Sequence, residues 1–428
     1  MTTLVVRAGR LYGEDPRDLV IEGGRIVEVC APGSGIGDDL LDAADCVVLP
    51  GLVDLHTHLR EPGREHAETI ESGSRAAAKG GYTCVHAMAN TSPVADTAGV
   101  VEQVWRRGLE AGLVDVRPIG AVTVGLGGVQ LAELGAMAHS AARVRVFSDD
   151  GMCVHDPLVM RRALEYVKAF DGVIAQHAQD PRLTEGAQMN EGELSGRLGL
   201  AGWPAVAEES IIARDVLLAE HVRSRLHVCH VSTAGSVDVI RWAKGRGIQV
   251  TAEVTPHHLL LTEELVQTFD PIYKVNPPLR RKEDVAALRV AVADGTIDVI
   301  ATDHAPHPHE DKDCEWAAAA MGMLGLETAV GVVAQALVQT GAMEWRQVAD
   351  RMSVAPARIG QVADQGRPLE VGEPAHIAVW DPRSPRSVTA ETLSSRSRNS
   401  PFVGLSLPGA MRHVVYRGRV TVREGELQ

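Results

Sequence analysis

A chain of 428 residues is too long for one small core and fits one large domain with an appendage. Hydrophobic residues at 45% and charged residues at 23% are ordinary for a globular protein, while an aromatic fraction of 4% makes the core aliphatic. The net charge of −14 argues against a nucleic-acid surface but leaves room for a locally positive site that takes a small anion.

Residues 1–50 read as short strands joined by turns, "TLVVRAGRLY", "DLVIEGGRIVEVC" and "CVVLPG", with Gly23-Gly24 as a hairpin signal. The start "MTTLVVRAGRLY" lacks a signal-peptide pattern and no apolar run reaches membrane-spanning length, so the expectation is a cytoplasmic protein with no membrane partner. The six cysteines, Cys30, Cys46, Cys84, Cys153, Cys229 and Cys314, are scattered without a disulfide-like or CxxC spacing and read as small core residues.

From residue 51 short apolar strands alternate with helical stretches. The strand candidates are "GLVDLHTH", "TCVHAMAN", "DVRPIGAV", "RVRVFSDD", "VIAQHAQD", "LHVCHVS", "IQVTAEVTPHH" and "DVIATDHAPH". Segments between them, such as "GVVEQVWRRGLEAG" and "AVAEESIIARDVLLAEHV", carry helical spacing of apolar residues. Eight strands each followed by a helix fit an α/β fold of the (β/α)8 TIM-barrel type, although a doubly wound open sheet gives similar local signals. The polar residues favour closure. His56 and His58, Asn90, Asp149-Asp150, His177, His230, His257-His258 and Asp303-His304 all stand at C-terminal strand ends, which converge only in a barrel. The tail, "AHIAVWDP" and "MRHVVYRGRVTVREGE", again reads as strands. The expected organisation is therefore a barrel over 51–362 and a small β-sandwich built from 1–50 and 363–428.

His56 and His58 share one face of a strand, so both imidazoles can grip one ion. His177 and His230 are embedded in apolar strands, where an unpaired imidazole is costly. Neutral imidazoles with carboxylates suit zinc, and four histidines exceed a single catalytic zinc site, so two ions are plausible. Two cations need an anionic bridge, for which Asp150 is the candidate and Asp149 the substitute. A cation there would acidify water enough to attack a carbonyl near neutral pH. Asp303 is the expected catalytic carboxylate, taking that water's proton and passing it to the leaving nitrogen. Arg60 reaches the same rim and suits a substrate carboxylate. Asn90, Asn276 and His307 add donors, and the set implies an anionic, amide-containing small molecule. His257, His258, His304 and His309 read as second-layer or solvent histidines, and "HPHEDKDCEWAAAAMG" as a candidate lid.

"DLHTHLREPG", "MANTSPVADT", "FSDDG", "VTPHHLLLTEE", "KVNPPLR" and "TDHAPH", in this order, resemble dihydroorotase of the bacterial class I type, in the amidohydrolase superfamily. The resemblance implies reversible cyclisation of N-carbamoyl-L-aspartate to (S)-dihydroorotate in pyrimidine biosynthesis. It implies a Zn2+ pair, one ion on His56, His58 and Asp303 and the other on His177 and His230, with Asp150 shared. Arg60, Asn90 and His307 would hold the carboxylate, and Asn276 with the Met321-Gly322 backbone would contact the ring. Many superfamily members bridge their metals with a carboxylated lysine; here the fourth strand ends "FSDDG" and the nearest downstream lysine, Lys168, falls in a helix. Other cyclic amidases, allantoinase- or hydantoinase-like, are the nearest alternative. A non-catalytic subunit scaffolding aspartate transcarbamoylase is the other. A homodimer, and association of an active enzyme with that transcarbamoylase, are compatible with the sequence.

Overall fold

The computed structural model describes residues 2–428. Eight strands, here β1–β8, are Leu52–Thr57, Tyr82–Ala87, Asp115–Pro118, Val146–Phe147, Val173–Gln176, Leu226–Val228, Val250–Val254 and Val299–Ile300. Parallel pairing runs β1–β2–β3 and β4–β5–β6–β7–β8. Parallel bridges Gly120–Phe147 and Thr57–His304 join the two sets at both ends, so each strand has a neighbour on either side. β1 and β2 are buried at every position, which is why they read as continuous apolar runs instead of alternating ones.

Helices follow the strands, among them Ile70–Lys79, Ala98–Ala111, Pro157–Val167, Val206–Val222, Ala234–Gly245 and Lys282–Asp294. The first shows how the sequence fixes one. The Thr69 hydroxyl accepts from the Ser72 N–H and the Ser72 hydroxyl accepts from the Thr69 N–H, a reciprocal cap. Its buried residues are Ile70, Gly73, Ser74, Ala76, Ala77 and Ala78, and the small ones among them let the helix lie close on the strands. Leu55, Ile119, Val146, Val173, Ala175, Cys229, Val299 and Ala301 form one apolar cluster together with Ala355 and Ile359.

Two strand candidates end earlier than their composition suggests. The seventh stops at Val254 because Thr255 caps a short helix, Pro256–Leu260, accepting from the His258 N–H with proline at the first helical position. His257 and His258 thus belong to that helix and are buried, not solvent-facing. The eighth forms a ladder with the seventh only over Val299–Ile300 before turning polar.

Both chain ends enter a separate nine-stranded sheet. Leu4–Leu11 pairs with Pro16–Glu22, which pairs through a Gly23-Gly24 turn with Arg25–Cys30. Leu4–Leu11 also pairs in parallel with Asp39–Asp42 and Val47–Pro50, so the sheet branches there. Val47–Pro50 runs antiparallel to Ile377–Asp381, the junction between the two ends, and Ala410–Tyr416 and Arg419–Arg423 extend it. The core beneath is aliphatic, including Leu4, Val6, Leu19, Ile21, Ile26, Leu41, Val48, Ile377, Val379 and Val415. All six cysteines are free; Cys46, Cys84 and Cys229 are buried and Cys314 is exposed. No helix among the described residues is long and apolar enough to cross a membrane.

Candidate metal centre

The C-terminal ends of β1, β4, β5, β6 and β8 bring His56, His58, Asp150, His177, His230 and Asp303 into contact, all buried. Asp150 sits among the four imidazoles. Its Oδ1 lies 3.3 Å from His56 Nε2, 3.3 Å from His177 Nδ1 and 3.4 Å from His230 Nε2, and its Oδ2 lies 3.3 Å from His58 Nε2. Asp303 Oδ1 is 3.1 Å from His58 Nε2 and 3.4 Å from His56 Nε2. Asp149 points elsewhere: its carboxylate accepts from the Val122 and Thr123 N–H groups at 2.7 and 3.0 Å. Lys168 spends its ammonium on the Val222 carbonyl, 2.8 Å away.

The outer nitrogens of three rings are already engaged. His56 Nδ1 donates to Glu253 Oε1 at 2.6 Å, His58 Nδ1 to Asn90 Oδ1 at 2.9 Å, and His177 Nε2 to Gln179 Oε1 at 2.7 Å. In the neutral rings, the nitrogens facing the cluster are therefore bare lone pairs. They meet carboxylate oxygens, which also carry only lone pairs, and His177 Nδ1 meets His230 Nε2 at 2.8 Å. His56 Nε2 is buried with no hydrogen-bond partner. Lone pairs converging on lone pairs in a buried site are what a divalent cation resolves, so this donor set fits a metal. His56, His58 and Asp303 form one trio with mutually close ligand atoms, and His56, Asp150 and His230 another.

The carboxylates demand a positive charge at this point, which either a proton on His56 or a cation can meet. Burial opposes charge on His56, yet Asp150, Asp303 and Glu253 outweigh it and hold the ring well above its ordinary pKa. Burial pushes the Asp303 carboxyl up, but His56 and His58 prevail and bring it to about 2. Asp150 is likewise held well below the carboxylate range, against burial, by His56, His177 and His230. Arg60, His230 and Asp303 all adopt positive φ, 60°, 30° and 47°, a local cost that recurs at functional sites.

Beside the cluster, Arg60 is 6% exposed; burial and Arg64 lower it to about 10, so it stays charged at neutral pH. Its Nε donates to the Pro306 carbonyl at 3.0 Å, and its Nη2 lies 3.5 Å from His307 Nε2. His307 Nε2 donates to the Met321 carbonyl at 3.0 Å. Gly322 follows at φ 150°, and a Cβ there would stand 2.7 Å from His307 Nε2, so only glycine fits. Its N–H donates to the Lys274 carbonyl at 3.0 Å. Asn276 Nδ2 donates to Gln179 Oε1 at 3.0 Å, while its Oδ1 is buried without a partner. The loop after β8 is tied down: Lys312 Nζ donates to the carbonyls of Pro271, Lys274 and Ala320, and Lys274 Nζ to those of Trp316 and Ala317.

Sequence reasoning missed Glu253, Asp54 and Gln179. Glu253 bridges His56 Nδ1 and His227 Nε2, and Asp54 accepts from the His56 and Thr302 N–H groups at 3.0 and 3.1 Å, tying β1 to the end of β8. The available signal was a charge inside an apolar strand, in "VTAEV" and "GLVDLHTH". His304 belongs to the outer layer as expected, facing Glu68 at 3.4 Å, and His309 is exposed beside Asp313.

Comparison with known proteins agrees with this geometry. Residues 45–236 match the family model described as dihydro-orotase-like. The chain is 64% identical to the dihydroorotase of Streptomyces coelicolor, with all of both chains covered. It is 65% identical to that of Leifsonia xyli subsp. xyli, covering 99% of this chain and 97% of the relative. Among solved structures it resembles the L-hydantoinase (dihydropyrimidinase) from Arthrobacter aurescens, with a TM-score of 0.88 and 25% identity over 100% of this chain and 98% of that one. An α/β fold with imidazoles and carboxylates gathered at its strand ends, and relatives of these two kinds, define a cyclic amidohydrolase. Within that class, the chain belongs to the dihydroorotase family.

Proposed function

We propose that the chain is a dihydroorotase of the bacterial class I type, interconverting N-carbamoyl-L-aspartate and (S)-dihydroorotate in pyrimidine biosynthesis. The observation that carries this reading is the contact of six buried ligand-type side chains next to a buried, charged Arg60. Asp150 among four imidazoles, with Asp149 and Lys168 engaged elsewhere, supports a carboxylate bridge in place of a lysine.

On this reading His56, His58 and Asp303 would hold one zinc ion and His177 and His230 a second, with Asp150 shared. Cations held there would supply Lewis acidity toward the ring amide and would acidify water. Asp303, ionised and at the edge of the cluster, accepts the proton from attacking water and returns it to the departing ureido nitrogen; ring closure runs the same transfers backward. Arg60 pairs with the substrate carboxylate through two N–H groups, beside His307 and the free amide hydrogens of Asn90. The unpartnered Asn276 Oδ1 takes a ring N–H, which fits an amide-bearing ligand. Glu253, Asn90 and Gln179 keep the rings in the tautomers that face lone pairs inward.

The fold that serves this chemistry is read as a (β/α)8 barrel over 51–362, on the support of parallel bridges joining both ends of the strand series. Residues 1–50 and 363–428 are read as the accompanying β-domain. Steady-state assay of the purified protein with dihydroorotate, hydantoin and allantoin tests the function. Turnover selective for dihydroorotate is expected; hydantoin turnover without dihydroorotate turnover would overturn the reading.

A further inference from the structure

We infer that Asn399 is a positioning residue for substrate binding, locking His307 and the Met321-Gly322 strip into one rigid anchor. This rests on the functional reading above.

Two backbone segments carry that anchor. Residues 304–307 leave β8, and residues 321–324 return alongside them: Ala305 N–H donates to the Met323 carbonyl at 2.8 Å, and His304 pairs with Met323 in a parallel bridge. The Asn399 side chain, 4% exposed, bonds to both segments. Its Oδ1 accepts from the His307 N–H at 3.0 Å, and its Nδ2 donates to the Ala305 carbonyl at 2.9 Å and to the Gly322 carbonyl at 3.2 Å. Its own carbonyl accepts from the Leu324 N–H at 3.1 Å. A primary amide alone among short side chains offers one acceptor and two donors in that array. Asp would lose both donors and face two carbonyl oxygens with negative charge; Ala would leave three backbone groups unpaired in the interior.

Asn399 comes from far along the chain, shortly before Phe402, which is buried with Leu261, Val275, Leu279, Met323 and Leu324. Its contacts reach His307, which abuts Arg60, but none reaches Asp303 or a ligand-type imidazole. Its influence therefore falls on substrate affinity and not on proton transfer.

The test is kinetic and uses the metal-loaded full chain. Asn399→Ala is made in the wild-type and in the His307→Ala background, with kcat, KM for dihydroorotate, metal content and melting temperature measured on each. Asn399→Ala is expected to raise KM about tenfold, roughly the worth of one lost charge-neutral anchor, with kcat within about threefold and metal content unchanged. In the His307→Ala background the same change should raise KM by less than about threefold, because the residue acts largely through His307. If the alanine variant fails to fold, the isosteric Asn399→Asp carries the same KM expectation. An unchanged KM, an equal effect in both backgrounds, or a fall in kcat alone would overturn the inference. Wild-type turnover separates the two failures: without it the functional reading falls, and with it and an unchanged variant KM only the role of Asn399 falls.

Discussion

At the ends of β1, β4, β5, β6 and β8 the protein buries four imidazoles and two carboxylates, with Glu253 and Asp54 behind them, whereas the terminal sheet buries Leu4, Val6, Leu19, Ile21, Ile377 and Val379. Burying ionisable groups costs folding free energy unless each is paired, so the first region works against stability wherever its partners are incomplete. Apolar burial in the second contributes stability without offering any chemistry. Backbone strain does not separate the two: His230 and Asp303 adopt positive φ in the first region, and Ala8 and Tyr12 do so in the second. The two regions should therefore respond in opposite ways to substitution: turnover is lost without unfolding at the strand ends, and stability is lost without a kinetic change in the sheet.

Asp303→Asn should break the chemistry most, lowering dihydroorotate hydrolysis by about 10³-fold or more while the thermal transition stays in place. Substantial residual turnover would remove the proton-transfer assignment. Arg60→Ala should raise KM by about 10- to 100-fold, the worth of a charge-assisted pair with a carboxylate, and change kcat less. An unchanged KM would make Arg60 structural. On the other side, Ile377→Ala should cost about 2–5 kcal/mol by urea denaturation, since the side chain is fully buried. Its kcat and KM at 25 °C should equal those of the wild type; a kinetic defect would show that the sheet and the centre are coupled.

The smallest effect is a pH dependence. Burial lowers His376, beside the Tyr416 ring, to about 4. Between its ordinary value and that one, the unfolded chain binds a proton that the folded chain refuses. Its contribution is thus full above about pH 6.5 and is lost as pH falls toward 4, on the order of 2 kcal/mol by pH 4.5. His376→Gln should flatten that part of the acid limb in urea titrations, and an identical limb would refute the assignment.

The centre was legible in the sequence because each ligand-type residue interrupts an apolar strand: His177 in "IAQHAQD", His230 in "HVCHVS" and Asp303 in "VIATDHAPH" all stand where packing alone gives no reason for them. Glu253 carried the same signal inside "VTAEV", but its neighbour in space, His56, lies 197 positions away and nothing local points to it. Asn399 carried no chemical signal of its own, being a loop asparagine before Ser-Pro whose three side-chain bonds exist only after folding. Element ends were blurred for a related reason. "AEVTPHH" is apolar enough to read as strand, yet the Thr255 cap and Pro256 turn the chain into a helix. The branching of the terminal sheet at Leu4–Leu11 depends on pairings between distant segments, which composition does not encode.

Metal content and dihydroorotate turnover, measured on the same purified sample through a graded removal of metal by chelator, test most directly whether the buried cluster exists to hold catalytic cations. Turnover should fall in step with the metal lost and return on adding zinc. Full turnover in metal-free protein would contradict the account.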